Sequence, residues 1–219
     1  MNPGGGPLRL GARAGEAKAA CVFVHGRGQS PEEMEAHVLG RLSVPGVAYV
    51  LPRAPTGAWY AARAVDPLTA IARAELSDAL DHLAAAVAAA RAELPGLPLL
   101  LAGFSQGACL AIEYACAGLP APEALAALTG CRVGVAGDGR PAALAAGLPV
   151  YLSGADADPW IPVAAFADAV QSLGAQGARL RADLFPGRGH AVGDAEVAML
   201  GAILRDLAAG NVPKMEAPR

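Results

Sequence analysis

Leu97-Pro98-Leu99-Leu100-Leu101-Ala102-Gly103-Phe104-Ser105-Gln106-Gly107-Ala108-Cys109-Leu110-Ala111 is the stretch whose reading decides the fold. An apolar run leads straight into a serine with a glycine two residues away on each side, and a helix-compatible run of small residues follows. That is the layout of a nucleophile elbow, a sharp strand-to-helix turn that lifts one hydroxyl above a sheet. The turn is strained and packs its flanks closely, so a Cβ at Gly103 or Gly107 is expected to clash. The five-residue string alone is weakly specific, and a glycine-rich turn carrying a solvated serine is the alternative. Its weight comes from the strand before it and the helix after it.

Working outward, the same alternation repeats. Upstream, residues 8–13 read as an edge strand and Ala19–Val24 as a continuous apolar run typical of a buried parallel strand. His25-Gly26-Arg27-Gly28-Gln29 then turns the chain into a helix from Pro31 to about Leu42, opened by Ser30 as N-cap with Pro31 at the first position. Val47–Leu51 is the next strand, and the long connection 52–65 carries Pro55, Gly57, Trp59 and Tyr60. Long loops after parallel strands tend to be functional. Asp66-Pro67 is expected to cap a helix whose Leu76, Leu80, Leu83, Val87 and Leu94 recur at helical spacing, ending at Pro95-Gly96. The elbow strand over 97–102 and its helix to about Ala117 come next. Downstream, strands are expected at 124–129, 148–153 and 178–185, and helices at 163–173 and 194–209, with a looser Gly/Ala stretch over 130–147. Such alternation predicts an α/β domain with a mostly parallel sheet, whose ligands gather at the carboxyl ends of the strands. Trp59, Ser105, Asp158 and His190 all fall there.

Composition narrows the partners. The 219 residues suit one domain, expected over 1–210 with a disordered tail over 211–219. A net charge of -3 without a basic run points away from nucleic acid and from a polybasic membrane anchor. The first residues lack the charged and apolar regions of a signal peptide, and no apolar stretch is long enough to span a bilayer. Cys21, Cys109, Cys116 and Cys131 sit in apolar segments without CxxC spacing, so they read as buried thiols in a reducing compartment. These features predict a cytoplasmic protein with no stable membrane insertion.

A serine hydroxyl needs a base within hydrogen-bond reach and a third group to hold that base. Elbow enzymes order them as nucleophile, acid, histidine. His190 alone of the four histidines follows Ser105; His37 and His82 lie on helices and His25 precedes the serine. For the acid, Asp156 and Asp158 both follow the penultimate strand. Asp158 is preferred, with a helix cap as its alternative reading, and Asp156 is assigned to an Asx-type turn. An oxyanion needs two backbone N–H donors, expected from Gln106 and from Arg27 in the loop after the first buried strand. That loop lacks the residues of a P-loop and the spacing of a dinucleotide fingerprint. Trp59, Tyr60 and Trp160 are candidates for lining the substrate site, or for packing in the core. Arg27 and Arg188 could draw an anionic substrate group or remain at the surface.

His25-Gly26-Arg27-Gly28, Gly103-Phe104-Ser105-Gln106-Gly107, Asp158-Pro159 followed by Pro162, and Gly189-His190 together resemble the phospholipase/carboxylesterase family of α/β-hydrolases, which includes acyl-protein thioesterases. The resemblance runs from about Cys21 to Leu207. It implies an α/β-hydrolase fold of about seven strands with helices on both faces and no large lid. It further implies a Ser105-Asp158-His190 triad, an oxyanion hole from Arg27 and Gln106, no cofactor or metal, and a small-molecule ester or thioester as substrate. Acyl-protein thioesterases carry an aliphatic residue at the position of Arg27 and an Asp at that of Gln29. The sequence is therefore closer to bacterial carboxylesterase-type members, whose usual substrates are short acyl esters. An acyl-protein thioesterase or lysophospholipase is the first alternative, and a non-catalytic ligand-binding protein on the same scaffold the second.

Overall fold

A computed structural model describes residues 5–216; residues 1–4 and the last three residues of the expected tail lie outside it. Among the described residues seven strands form one sheet: β1 (Leu8–Gly11), β2 (Ala19–Val24), β3 (Val47–Leu51), β4 (Leu99–Phe104), β5 (Ala124–Leu128), β6 (Pro149–Ala155) and β7 (Arg179–Phe185). Their order is β1-β3-β2-β4-β5-β6-β7. Only β1 runs antiparallel to its neighbour; the other pairs are parallel, as expected of strands joined by helical crossovers. The helices are α1 (Pro31–His37), α2 (Ala70–Glu93), α3 (Gln106–Cys116), α4 (Val163–Ala175) and α5 (Asp194–Ala208).

Every residue of β2 through β6 is buried, so both faces of the sheet must be covered. The two-residue period of a strand divides them. Ala20, Val22 and Val24 join Leu83 of α2, Ile112 of α3 and Leu173 of α4 on one face. Ala19, Cys21 and Phe23 join Met34 of α1 and Leu200 and Ile203 of α5 on the other.

Most element ends move by one or two residues from expectation, and three of the differences bear on the argument. Helix α1 stops at His37 and continues only as a 3₁₀ turn over Leu39–Arg41. Helix α2 is capped by Thr69, whose hydroxyl accepts from the Ala72 N–H at 3.1 Å; the Asp66 carboxylate instead accepts from the Arg63 N–H in the preceding turn. Strand β4 begins at Leu99 and runs on to Phe104, so the elbow serine follows its last residue directly. Past α5, residues up to 216 turn back, with the Lys214 N–H donating to Asp206 Oδ2 at 2.9 Å and Met215 packed against the second core cluster.

Candidate active site

Ser105 sits between β4 and α3 with φ 55° and ψ -122°, a conformation unusual for a residue with a side chain. What holds it there is the closeness of the elbow to its neighbours. A Cβ on Gly103 would lie 2.5 Å from the carbonyl carbon and oxygen of Gly107, while Gly107 itself lies against the end of β2. The Ser105 N–H donates to Leu128 O at 3.0 Å, which anchors the turn to β5.

Two loops from the far side of the sheet converge on this hydroxyl. His190, in the turn after β7, places Nε2 2.8 Å from Ser105 Oγ and Nδ1 2.7 Å from Asp158 Oδ2. A carboxylate at Nδ1 accepts a hydrogen bond from the N–H there, which leaves Nε2 as the acceptor facing the serine. The ring of Phe104 lies 5.0 Å from that of His190. Asp158 is fixed through its other oxygen, which accepts from the N–H groups of Trp160 at 2.7 Å and Ile161 at 3.0 Å. It does not cap α4, whose N-cap is Pro162. Asp156 accepts from the Gly187 N–H of the neighbouring loop, not from its own turn, and so ties the Asp158 loop to the His190 loop.

The loop after β2 completes the cleft. His25 is buried and held by two bonds: the Ala54 N–H donates to its Nε2 at 3.0 Å, and its Nδ1 lies 2.8 Å from Gly26 O. That pairing requires the neutral ring with the proton on Nδ1, and burial accordingly pushes the His25 pKa down. The N–H groups of Gly28 and Gln29 are taken by Gly57 O and Gly26 O, whereas the Arg27 N–H has no protein acceptor among the described residues. The Gln106 N–H opens α3, and the first N–H groups of a helix have no acceptor within it. Gln106 also uses its side chain: Oε1 accepts from the Trp59 N–H at 3.0 Å and Nε2 donates to Tyr60 O at 2.7 Å. The elbow thus holds the 52–65 loop by hydrogen bonds that its short motif does not announce.

These elements enclose a cavity of about 440 Å³ over Ser105 and His190. Tyr60 and Trp160 both line it, Tyr60 buried and Trp160 60% exposed at its rim. The Tyr60 hydroxyl is buried without a partner, and burial raises its pKa well above that of a free phenol. Trp59 does not line the cavity; it is buried behind the loop, donating from Nε1 to His25 O at 2.8 Å and packing on the His25 ring. Arg27 lines it, with its guanidinium bonded to Ala61 O and Ala62 O. Arg188 turns the other way and pairs with the fully buried Glu196, which also accepts from the Ser153 hydroxyl and, at 2.7 Å, from the Gly193 N–H. Sequence reasoning missed Arg63, which lines the cavity, and Glu196. The one signal for Glu196 was an acidic residue set within an apolar helical run; for Arg63, nothing distinguished it from a surface arginine. Among the described residues no group of three or more His, Cys, Asp or Glu side chains is placed to hold a metal, and no helix is long and apolar enough to cross a membrane. All four cysteines are buried and unpaired, Cys109 and Cys131 lying with their sulfurs 3.9 Å apart.

Comparison with known proteins agrees with this architecture. A family model described as Phospholipase/Carboxylesterase matches residues 9–207. None of the curated proteins compared matches the sequence. Among solved structures, a phospholipase/carboxylesterase from Dyadobacter fermentans is 26% identical with a TM-score of 0.79, covering 91% of this chain and 95% of its own. Esterase PE8 is 27% identical with a TM-score of 0.72, covering 92% and 98%. An acyl-protein thioesterase 2 from Zea mays, 17% identical with a TM-score of 0.69 over 92% and 98% of the two chains, shares the fold.

Proposed function

This chain belongs to the phospholipase/carboxylesterase family, and on that premise we propose that it is a serine carboxylesterase acting on small, short-chain acyl esters through an acyl-Ser105 intermediate. The observation that carries the reading is the unbroken hydrogen-bonded chain from Asp158 through His190 to Ser105, with links of 2.7 and 2.8 Å, ending on a strained elbow. In this mechanism Ser105 Oγ attacks the ester carbonyl carbon while its proton passes to His190 Nε2. The N–H groups of Arg27 and Gln106 receive the developing oxyanion. The carbon–oxygen bond to the alcohol then breaks, and the imidazolium returns its proton to the departing oxygen. Water enters, gives a proton to Nε2 and attacks the acyl carbon. The bond to Ser105 breaks, Oγ recovers the proton, and the carboxylic acid leaves. Asp158 holds the imidazole in the required tautomer and stabilises its charged form.

A cavity of about 440 Å³, toward the small end of ligand sites, supports a short acyl preference. The buried, unpaired cysteines support a reducing, cytoplasmic setting. Replacing Ser105 by Ala should lower ester turnover by about 10⁶-fold, the scale of losing a serine nucleophile, with the unfolding transition retained. A fluorophosphonate should label the wild type and spare S105A. Turnover that survives in S105A would remove the assignment. A series of p-nitrophenyl esters should show turnover falling with acyl length; a long-chain optimum would move the reading to a lysophospholipase or acyl-protein thioesterase.

A further inference from the structure

The walls of the cavity over Ser105 carry an unbalanced charge. Two arginines, Arg27 and Arg63, line it, and among the described residues no Asp or Glu does. The molecule as a whole has the opposite sign, with a net charge of -3. Neither arginine is held by a close ion pair. Arg27 donates to Ala61 O at 3.0 Å and Ala62 O at 2.6 Å, and both acceptors are uncharged carbonyls. Arg63 has one acidic neighbour, Asp66, at 3.9 Å from its Nε, and with the two side chains 62% and 48% exposed that pair is weak and screened. The buried Asp158 is committed to His190. Most of the remaining wall is apolar, including Tyr60, Ala64, Phe104 and Ile161. A concave apolar wall with charge of one sign concentrates the field in the cleft and draws ligands of the other sign.

We infer that the cavity takes an ester that itself carries an anionic group, typically a carboxylate, which Arg63 and Arg27 receive while the ester carbonyl lies at Ser105. The inference rests on the esterase reading above and names the substrate class for it. Guanidinium groups suit this role because their planar donor fork matches a carboxylate. The bonds to Ala61 O and Ala62 O hold Arg27 in place, so little side-chain freedom is lost when the anion arrives. Arg63 lies one residue beyond this tether, at the cavity wall.

The test compares esters matched in length and differing in charge. On the acyl side these are the monomethyl esters of succinic, glutaric and adipic acids against methyl pentanoate and methyl hexanoate; on the alcohol side, O-acetylglycolate against ethyl acetate. The expected result is a kcat/KM at least about tenfold higher for the anionic member in one of the two arms, the size of one charge-assisted hydrogen bond. The advantage should narrow as salt rises from about 10 mM to about 0.5 M, because screening shortens the reach of the charges. R63Q should cut the anionic-to-neutral ratio about tenfold, R63E should invert the preference, and R63K should restore part of it. The thermal midpoint of each variant checks that the exposed substitution leaves the fold intact. Equal or better use of the neutral ester in both arms overturns the inference, as does an R63Q variant in which both classes change by the same factor. If the wild type turns over neutral esters and binds fluorophosphonate without any preference for anions, the subsite alone fails. If it does neither with any ester, the esterase reading fails with it.

Discussion

At Gly107 the protein leaves room for a hydrogen and nothing larger. A Cβ there would lie 2.1 Å from Val24 O and 2.6 Å from His25 O, both backbone atoms at the end of β2 that no side-chain rotation can move aside. Gly107→Ala should therefore push α3 away from β2, carrying Ser105 and the Gln106 N–H with it. Overpacking of this kind costs about 1–3 kcal/mol, and a displacement near 1 Å at a reacting group costs about 10²-fold in rate. Denaturant titration and ester kinetics on G107A should show both losses together; a variant with wild-type kcat would show that the close approach does not position the serine. This steric requirement is legible in the sequence because glycine spacing around a serine is a local rule. The position of Trp59 was not: an aromatic residue in a loop after a strand reads equally as a cavity wall or as packing. Only the hydrogen bond from its Nε1 to His25 O, across 34 positions of chain, places it behind the loop.

Among the elements, α5 has a task beyond covering the sheet. Its Glu196 is fully buried and accepts from Ser153 of β6, from Arg188 in the loop that carries His190, and from the Gly193 N–H at the end of that loop. Arg188 in turn lies 4.3 Å over the Phe185 ring at the end of β7. One carboxylate thus joins a strand, a loop and a helix behind His190. Removing it leaves a guanidinium mostly enclosed without its partner, which for buried pairs costs about 3–5 kcal/mol. We expect E196A to lower the unfolding free energy by that order and to reduce kcat more than it raises KM, since the loop it frees holds the histidine. Steady-state kinetics beside a denaturation curve separate the two effects, and an unchanged kcat in a folded E196A would deny the positioning role. Helix α5 itself is readable from its apolar periodicity, but the destination of its buried acid depends on β6 and β7 being neighbours, which no local pattern states.

For the whole molecule, acid should be destabilising in a way that passes through His25. Burial is the largest cause lowering its pKa below the ordinary 6.5, outweighing the Gly26 hydrogen bond that raises it. The folded state then binds fewer protons at this site than the unfolded chain, so its contribution to stability is complete above about pH 6.5 and is lost as the pH falls toward the folded value. Denaturant midpoints measured at pH 7.5 and pH 5 should fall on acidification for the wild type. H25Q keeps an acceptor for the Ala54 N–H without a titrating ring; it should be less stable at pH 7.5 and show a shallower fall. Parallel curves would place the pH dependence elsewhere. At this scale the sequence by itself determined the alternation of strands and helices, the buried parallel sheet, the elbow, and the chain order that pairs Ser105 with His190 as candidates. Those rest on periodicity and on steric rules that operate within a few residues. Between Asp156 and Asp158 the sequence offered only a preference, and it is the 2.7 Å contact of Asp158 with His190 that separates the two. The tertiary structure alone decided which loop side chains face the cavity: Trp59 is withdrawn behind it, Arg188 is drawn inward by Glu196, and Arg63 is brought to its wall. A loop side chain goes where its partner is, and these partners, His25 and Glu196 among them, reach their places only through the order of the sheet.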